Sequence, residues 1–600
     1  MTQKYGDLVV TWLRGLGYTH CFLVAGGNSM HLLDCVRKQM TCVPVAHEVS
    51  AGIAAEYFNE RARAKGESER AFALVTAGPG LTNIVTAFAG AFLESRDLLV
   101  LGGQAKSTDL ADPGMRQRGI QEIDGRSIVE PLCVVARTIT RPVSRRVFEH
   151  WVSQGRTGRM GPVFLEFCLD VQAMPVDPSE LEDRPILGST GPTPPDPAVV
   201  AEVAERLRVA ERPVLLLGGG VSREAARRVL PKAHQHDLPV MTTWNGADRV
   251  PADDPVYVGR PNTWGQRAAN ILLQQSDLVI AVGSRLGLQQ TGFNWQQFAP
   301  LAAVVQVDLD PVELSKGHPR VDVPWLADAD AALTALLDDQ DYPNWTGWLA
   351  ECHQMRALLP LAEPVNTSAA GYLDPYRFIL DLSARATGDD VIVPCSSGGA
   401  ETVTMQAFEQ KAGQTVITDK GLASMGYGLA AAIGAAFAAP RKRVIHIEGD
   451  GGFLQNCQEL ATVSVNGLPI KTFLFSNEGY ASIRMTQRNY FGGSYLGCDT
   501  STGLGFPDWS LLARAFGLPF LELTNGLDTP GFDDLFASGS PAFFTVPVDP
   551  EQTYFPKITS RVTATGSMES NPLHLMSPEL PGEVAARVLH YLEDPLQEHA

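Results

Sequence analysis

An apolar run, Arg443 to Ile447, breaks off into Glu448-Gly449-Asp450-Gly451-Gly452. The glycines Gly449, Gly451 and Gly452 permit tight turns and close approach of a ligand. The lone Asp450 sets a hard oxygen donor at a strand's carboxyl end, where open α/β sheets bind their ligands. The next apolar run, Ile470 to Phe475, ends at Ser476-Asn477-Glu478-Gly479-Tyr480, so Asn477 follows Asp450 by 27 residues, one helix and one strand later. Two such strand ends can bring a carboxylate and an amide oxygen side by side. That donor set suits Mg²⁺, which takes few protein oxygens and keeps positions for water and substrate phosphates. A further stretch, Pro394 to Thr402 (PCSSGGAET), offers backbone N–H groups that can wrap a diphosphate.

Such residues need strands to carry them, and the chain is built of strands alternating with helical segments. HCFLVAGG, CVPVAHE, AFALVTAGPG, DLLVLGGQ and GPVFLEF read as buried strands in the first third. RPVLLLGGG, LPVMTTW, SDLVIAVGS and AAVVQVDLD follow in the middle. DDVIVPCSSGG, RVIHIEGDGG, IKTFLFSN and PAFFTVPVD close the series. Continuous Val/Ile/Leu strands ending in glycine argue for parallel sheets covered on both faces. Pro-rich passages at Gln172–Pro197 and Leu358–Pro375 favour extended linkers. The expected architecture is α/β: three doubly wound parallel-sheet domains over residues 1–180, 195–350 and 370–600.

Bulk composition is compatible with this. The 600 residues exceed what one core organises. The net charge of −19 argues against nucleic acid or an acidic membrane as the main partner. Nine dispersed cysteines, without zinc spacing, read as reduced and mostly buried. The amino-terminal stretch reads as an amphipathic helix rather than a signal-peptide core. The Ala/Gly-rich run Gly428–Pro440 is too short to span a bilayer. A cytoplasmic protein is the expectation.

GDG followed by this Asn, in the last of three α/β blocks, resembles the thiamin-diphosphate motif. The chain looks like the acetolactate synthase branch of that family through AHEVSAGIAAEYFNERA, TAGPGLTNIVTAFAGAFLESRDLLVLGGQ, GLASMGYGLAAAIGA and VQVDLDPVELSK. The resemblance implies thiamin diphosphate with Mg²⁺, the metal held by Asp450, the Asn477 side chain and the Gly479 carbonyl. It puts Glu48 against the cofactor's aminopyrimidine, the Ala423 carbonyl under its 4′-amino group, and Met425 beneath its bend. It further implies cofactor contacts from Gly27, Asn28 (where the family often has Gly or Ala), Pro79, Asn83, Ser397, Gly398, Gly399, Gly449, Gly451, Gly452 and Tyr480. Gln121, in RGIQEID, matches a glutamine facing the thiazolium side. Family active sites lie between two subunits, so the resemblance implies a dimer or tetramer.

Each residue also has a plainer reading. Glu48 can be an acid at a helix start, Met425 core filling, Asn477 a turn residue, and His31 and His47 structural groups. The His pair of pyruvate-type decarboxylases has no counterpart, since AGAFLE is followed by Ser95-Arg96-Asp97. That tilts against simple aldehyde release.

Two departures from acetolactate synthase concern the acceptor. The Arg of a GARFDDR stretch becomes Gln289, which lacks the charged fork that grips a carboxylate. The acceptor-selecting Trp becomes Thr486. Arg484 or Arg488 could restore the charge. The stretch Asn477–Asp499 and the tail FPKITSRVTATGSMESNPLHLMSPEL resemble the acetolactate-synthase-like proteins of lipopolysaccharide and branched-sugar pathways. The implied reaction decarboxylates a 2-oxo acid, pyruvate by expectation, and transfers the two-carbon unit to a carbonyl acceptor such as a keto sugar. Acetolactate synthesis proper, another 2-oxo acid decarboxylase or lyase, and a catalytically silent assembly subunit stay as alternatives; a flavin or nicotinamide oxidoreductase is weaker. RPVLLLGGG, GRPNTWGQRAAN and GSRLGLQQTGFN parallel segments that hold FAD in acetolactate synthase, and equally read as generic strand-end glycines.

Overall fold

The structure, a computed structural model, describes residues 3–181, 193–338, 340–394, 397–562 and 568–592. Its frame is three sheets, each of six parallel strands. The first comprises β1 (Tyr18–Leu23), β2 (Thr41–Pro44), β3 (Arg70–Val75), β4 (Leu98–Gln104), β5 (Val135–Ile139) and β6 (Pro162–Cys168). The second comprises β7 (Pro213–Leu217), β8 (Val240–Thr242), β9 (Tyr257–Gly259), β10 (Leu278–Val282), β11 (Ala303–Asp308) and β12 (Val323–Leu326). The third comprises β13 (Val391–Pro394), β14 (Thr415–Val416), β15 (Val444–Gly449), β16 (Ile470–Ser476), β17 (Phe520–Glu522) and β18 (Ala542–Pro547). Every strand read from the sequence is present. Within the three sheets, those not read (β5, β9, β12, β14 and β17) are all edge strands, and most are short or interrupted by polar residues.

Strand order decides where ligands can enter. The first sheet runs β2-β1-β3-β4-β6-β5, and the third repeats that order as β14-β13-β15-β16-β18-β17. In both, the chain moves outward after its first strand and returns on the other side. The crevice therefore opens between β1 and β3, and between β13 and β15. The middle sheet runs β9-β8-β7-β10-β11-β12, with its switch point between β7 and β10.

Helices lead into or follow these strands. Among them are α1 (Tyr5–Gly15), α2 (Glu48–Ala64), α3 (Pro79–Leu93), α4 (Gly398–Ala407), α5 (Tyr427–Ala438), α6 (Asp450–Leu454) and α7 (Ala481–Phe491). Helices α2 and α5 pack along each other, so one continuous core joins the first and third sheets. Apolar residues explain the join: α5 is Ala/Gly-rich and almost wholly buried, which lets two backbones approach.

The Pro-rich passage after Leu358 is pinned rather than loose. Its Glu363 is buried in a two-pronged pair with Arg267 at 2.6 and 2.9 Å. The first passage, Gln172–Pro197, falls partly outside the described residues. After the third sheet the chain returns to the middle one. Leu573 and Val588 enter the middle core, and Gln275 both donates to the Val588 carbonyl and accepts from Tyr591 N. Among the described residues no helix is long and apolar enough to cross a membrane.

Candidate active site

The third sheet's switch point gathers oxygen atoms. Asp450 opens α6 at the end of β15 and is 1% exposed. One of its oxygens accepts Gly451 N at 2.7 Å, and the other accepts Asn477 N at 2.9 Å and Glu478 N at 2.7 Å. Burial pushes the carboxyl up to about 7, against the pull of these N–H groups. Asn477 Oδ1 stands 2.8 Å from the Gly479 carbonyl oxygen and 3.0 Å from Asp450 Oδ1. Turning the amide over would convert both contacts into hydrogen bonds. Left as they are, three oxygens face one another with no proton between them, which a cation resolves. Cis ligands of an octahedral Mg²⁺ lie about 2.9 Å apart when each is about 2.05 Å from the ion. The donor set therefore fits that ion. Among the described residues no group of three or more His, Cys, Asp and Glu gathers as an alternative centre.

The backbone here is specified by glycine. Gly479 has φ 147°, and a Cβ on it would lie 2.0 Å from the Cys498 carbonyl oxygen. Gly399, in the first turn of α4, lies against the Tyr554 ring, which a Cβ would meet at 2.2 Å. Ser397 and Gly398 start that helix, across the crevice from Gly449, Gly451 and Gly452; Cys395 and Ser396 of the same stretch lie outside the described residues. The Tyr480 ring covers Gly451. Arg484 is buried behind the loop and donates to the Asn477 and Glu478 carbonyls, so its charge is spent on holding backbone.

The first sheet's crevice collects the other group. Glu48 is the first residue of α2, and Asn83 of α3 donates to its Oε2 at 2.9 Å. His47 caps the same helix by accepting Val49 N at 3.2 Å. Asn28 donates to the Ile120 carbonyl at 3.0 Å, beside the open Gly27. Gln121 follows with φ 60°, its backbone against Gly78 and its side chain exposed. Gly27, Asn28, Glu48, Pro79, Asn83 and Gln121 thus share the carboxyl edge of one sheet.

Residues that sequence reasoning passed over hold this edge to the third domain. Buried Glu459 accepts Ala46 N and His47 N, each at 3.0 Å. Asn456 bridges the Ser50 hydroxyl at 2.9 Å and the Gly426 carbonyl at 3.0 Å. Neither carries a motif; only the fold brings them 400 residues back along the chain. Gly426 follows Met425, which is 38% exposed, and Ala423, held at φ 55°.

A cavity of about 870 Å³ opens at the middle sheet's switch point. Gly219, Gly220, Gly283 and Asp308 line one part of it, Gln289 and Ala423 another. Gln289 is exposed, and its carbonyl accepts Thr263 N at 2.9 Å. Thr486 lies on the exposed face of α7 with Ile483, while Arg488 of the same helix pairs with Glu551 at 2.6 Å. The glycine-rich strand ends and the cavity's size fit an extended nucleotide cofactor.

Comparisons with known proteins agree with this geometry. The chain matches the thiamine pyrophosphate enzyme N-terminal TPP binding domain over residues 3–128, the central domain over 200–336 and the C-terminal TPP binding domain over 396–544. It belongs to the thiamine pyrophosphate enzyme family. Its relatives include a probable chloroplastic acetolactate synthase 2 of Oryza sativa subsp. japonica, 30% identical over 93% of this chain and 85% of the relative. The large subunit of acetolactate synthase isozyme 1 of Escherichia coli is 29% identical over 92% and 95%. A probable acetolactate synthase large subunit of Methanocaldococcus jannaschii is 30% identical over 86% and 87%. The protein is thus an acetolactate-synthase-like carboligase, dependent on thiamin diphosphate for decarboxylating a 2-oxo acid and joining the remainder to a carbonyl acceptor.

Proposed function

We propose that this enzyme takes pyruvate as donor and delivers its two-carbon unit to a ketone acceptor of the keto-sugar class. The observation that carries the reading is the state of the acceptor wall. Gln289 and Thr486 replace the groups that would grip and select a second keto acid. The two arginines able to restore a positive charge are engaged elsewhere, Arg484 by backbone carbonyls and Arg488 by Glu551. With both of these charges engaged, neither arginine is offered to a carboxylate, which suits an uncharged carbonyl acceptor better.

Asp450, Asn477 and Gly479 would hold Mg²⁺, and the N-terminus of α4 at Ser397–Gly399 would receive the diphosphate. The bound thiamin diphosphate supplies a nucleophilic carbanion and an electron sink. Glu48 exchanges a proton with the aminopyrimidine nitrogen N1′, its carboxylate held in place by Asn83. The Ala423 carbonyl would accept from the cofactor's 4′-amino group, and Met425 would pack beneath the cofactor. Gln121, on the exposed rim of the first crevice, donates to charge developing on the substrate. FAD would fill the middle cavity as a structural group, since the reaction has no net redox change.

Chains assemble at least as dimers in the cytoplasm, with domains at 1–180, 195–350 and 370–600. A second reading, acetolactate synthesis proper, is favoured by the named relatives. Incubation with thiamin diphosphate, Mg²⁺ and pyruvate, following carbon dioxide release with and without ketone, aldehyde and nucleotide-keto-sugar acceptors, separates the two. Release accelerated by a keto sugar is expected. Brisk acetolactate formation from pyruvate alone would overturn the acceptor assignment.

A further inference from the structure

We propose that Glu94 is the positioning residue that sets the loop carrying Ala423 and Met425, and that it does so by tying all three domains at one carboxylate. The inference rests on the thiamin-contact roles of Ala423 and Met425 given above. Glu94 follows α3 in the first domain and has a side chain only 2% exposed. Its Oε1 accepts Lys420 N at 2.8 Å and also Gly421 N, at the start of the loop in the third domain. Its Oε2 accepts the side-chain amide of Asn245 from the middle domain. Space around the contact is tight: a Cβ at Gly421 would meet Leu93 Cβ at 2.9 Å and Glu94 Oε1 at 3.0 Å.

Neighbouring contacts fasten the chain on either side of the point that Glu94 holds. Arg96 donates to the Thr418 carbonyl at 2.6 Å and pairs with Glu56 at 3.0 Å. Glu56 in turn accepts the hydroxyl of Tyr427, just past Met425 and Gly426. Lys420 pairs with Glu401 at 3.1 Å and lies over the Trp244 ring of the middle domain, 4.6 Å from its centre. Between these fastenings, Glu94 makes two charge-assisted bonds to consecutive backbone N–H groups, three and two residues before Ala423. It also lines the large cavity together with Asn245, Gly421 and Ala423, so a ligand there touches the same node. An acid serves because it can accept from three donors at once, which a neutral hydroxyl cannot.

The test measures the dissociation constant of thiamin diphosphate with saturating Mg²⁺ by titration calorimetry at 25 °C, together with melting temperature, for wild type, Glu94→Ala, Glu94→Asp and Glu94→Gln. Alanine removes the acceptor and aspartate withdraws it by one methylene. Both are expected to weaken cofactor binding about tenfold or more, the scale of losing a charge-assisted hydrogen bond. Glutamine keeps one oxygen for the two N–H groups, and its new amide can donate to Asn245 Oδ1, now buried and unpartnered, once the Asn245 amide turns over to present it. It should bind within about threefold of wild type. Melting temperatures that fall while every variant binds the cofactor like wild type would overturn the proposal and leave Glu94 a packing residue. Should the alanine variant not fold, the aspartate and glutamine pair decides by the same criterion. Wild-type protein that binds no thiamin diphosphate would sink the thiamin site itself, and this inference with it.

Discussion

Asp450 is a carboxylate that burial disfavours and a cation would restore. Its three backbone donors fix both oxygens, and Asn477 and Gly479 add two more oxygens at the spacing of an octahedral edge. Glu48 is arranged differently: it stays partly exposed, with one amide neighbour to orient it. In the proposed mechanism the first would hold an ion and the second would pass a proton. Glu48→Gln keeps shape and the Asn83 contact but cannot exchange the proton. Turnover should fall by about 100-fold or more, the scale of a lost general acid–base, while thiamin diphosphate binding stays near wild type. Carbon dioxide release and calorimetry on one preparation check both halves.

Among the elements, the starts of α2, α4 and α6 do the placing, α4 and α6 at the third sheet's switch point and α2 at the carboxyl edge of the first sheet. The start of α2 is unusual in being secured from another domain, where Glu459 takes the two N–H groups just before Glu48. Glu459→Ala would take the acceptor from both N–H groups, which sit on exposed and half-buried residues, at a cost of about 0.5–1.5 kcal/mol each, and would let the helix start drift. We expect a lower melting temperature and a turnover loss of about tenfold, the scale of one such bond, with Mg²⁺ affinity unchanged because Asp450 is untouched. A melting shift without any change in turnover would show that Glu48 is positioned by α2 alone.

For the molecule as a whole, buried acids link stability to pH. Glu166, on β6 away from both crevices, is 2% exposed and accepts from Gln104 and Thr138. Burial pushes its carboxyl up to about 7, which those two hydrogen bonds only partly oppose. The native state therefore keeps a proton between about pH 4.5 and 7 that the unfolded chain releases. Its contribution is full below that window and is lost as pH rises through 7. Glu56 and Glu401, also pushed to about 7, act in the same direction. Glu166→Gln cannot ionise and should match wild type near pH 4.5, then gain on it by up to roughly 3 kcal/mol by pH 8. Denaturant melts at a series of pH values give the curve; a gap independent of pH would refute the assignment. At the same scale the domains interlock through Arg223, which pairs with Glu60 at 2.9 Å and with Asp248 at 2.7 Å, while Asp248 accepts Val416 N from the third sheet.

The sequence alone determined the three parallel sheets, because doubly covered strands read as unbroken apolar runs ending in glycine. It also singled out Asp450 and Asn477, because two glycine-flanked strand ends leave a local signature, while Gly479 came from the family resemblance as the third donor of the proposed metal site. Edge strands such as β9 and β14 escaped, since they are short and carry no apolar run of their own. Only the tertiary structure decided what Arg484 and Arg488 do, because a guanidinium looks the same in sequence whether it meets a substrate or a carbonyl. It alone brought Glu94, Glu459 and Asn456 to the loops they hold. Those partners lie hundreds of residues apart, and a contact made by packing two domains leaves no spacing for a sequence to show.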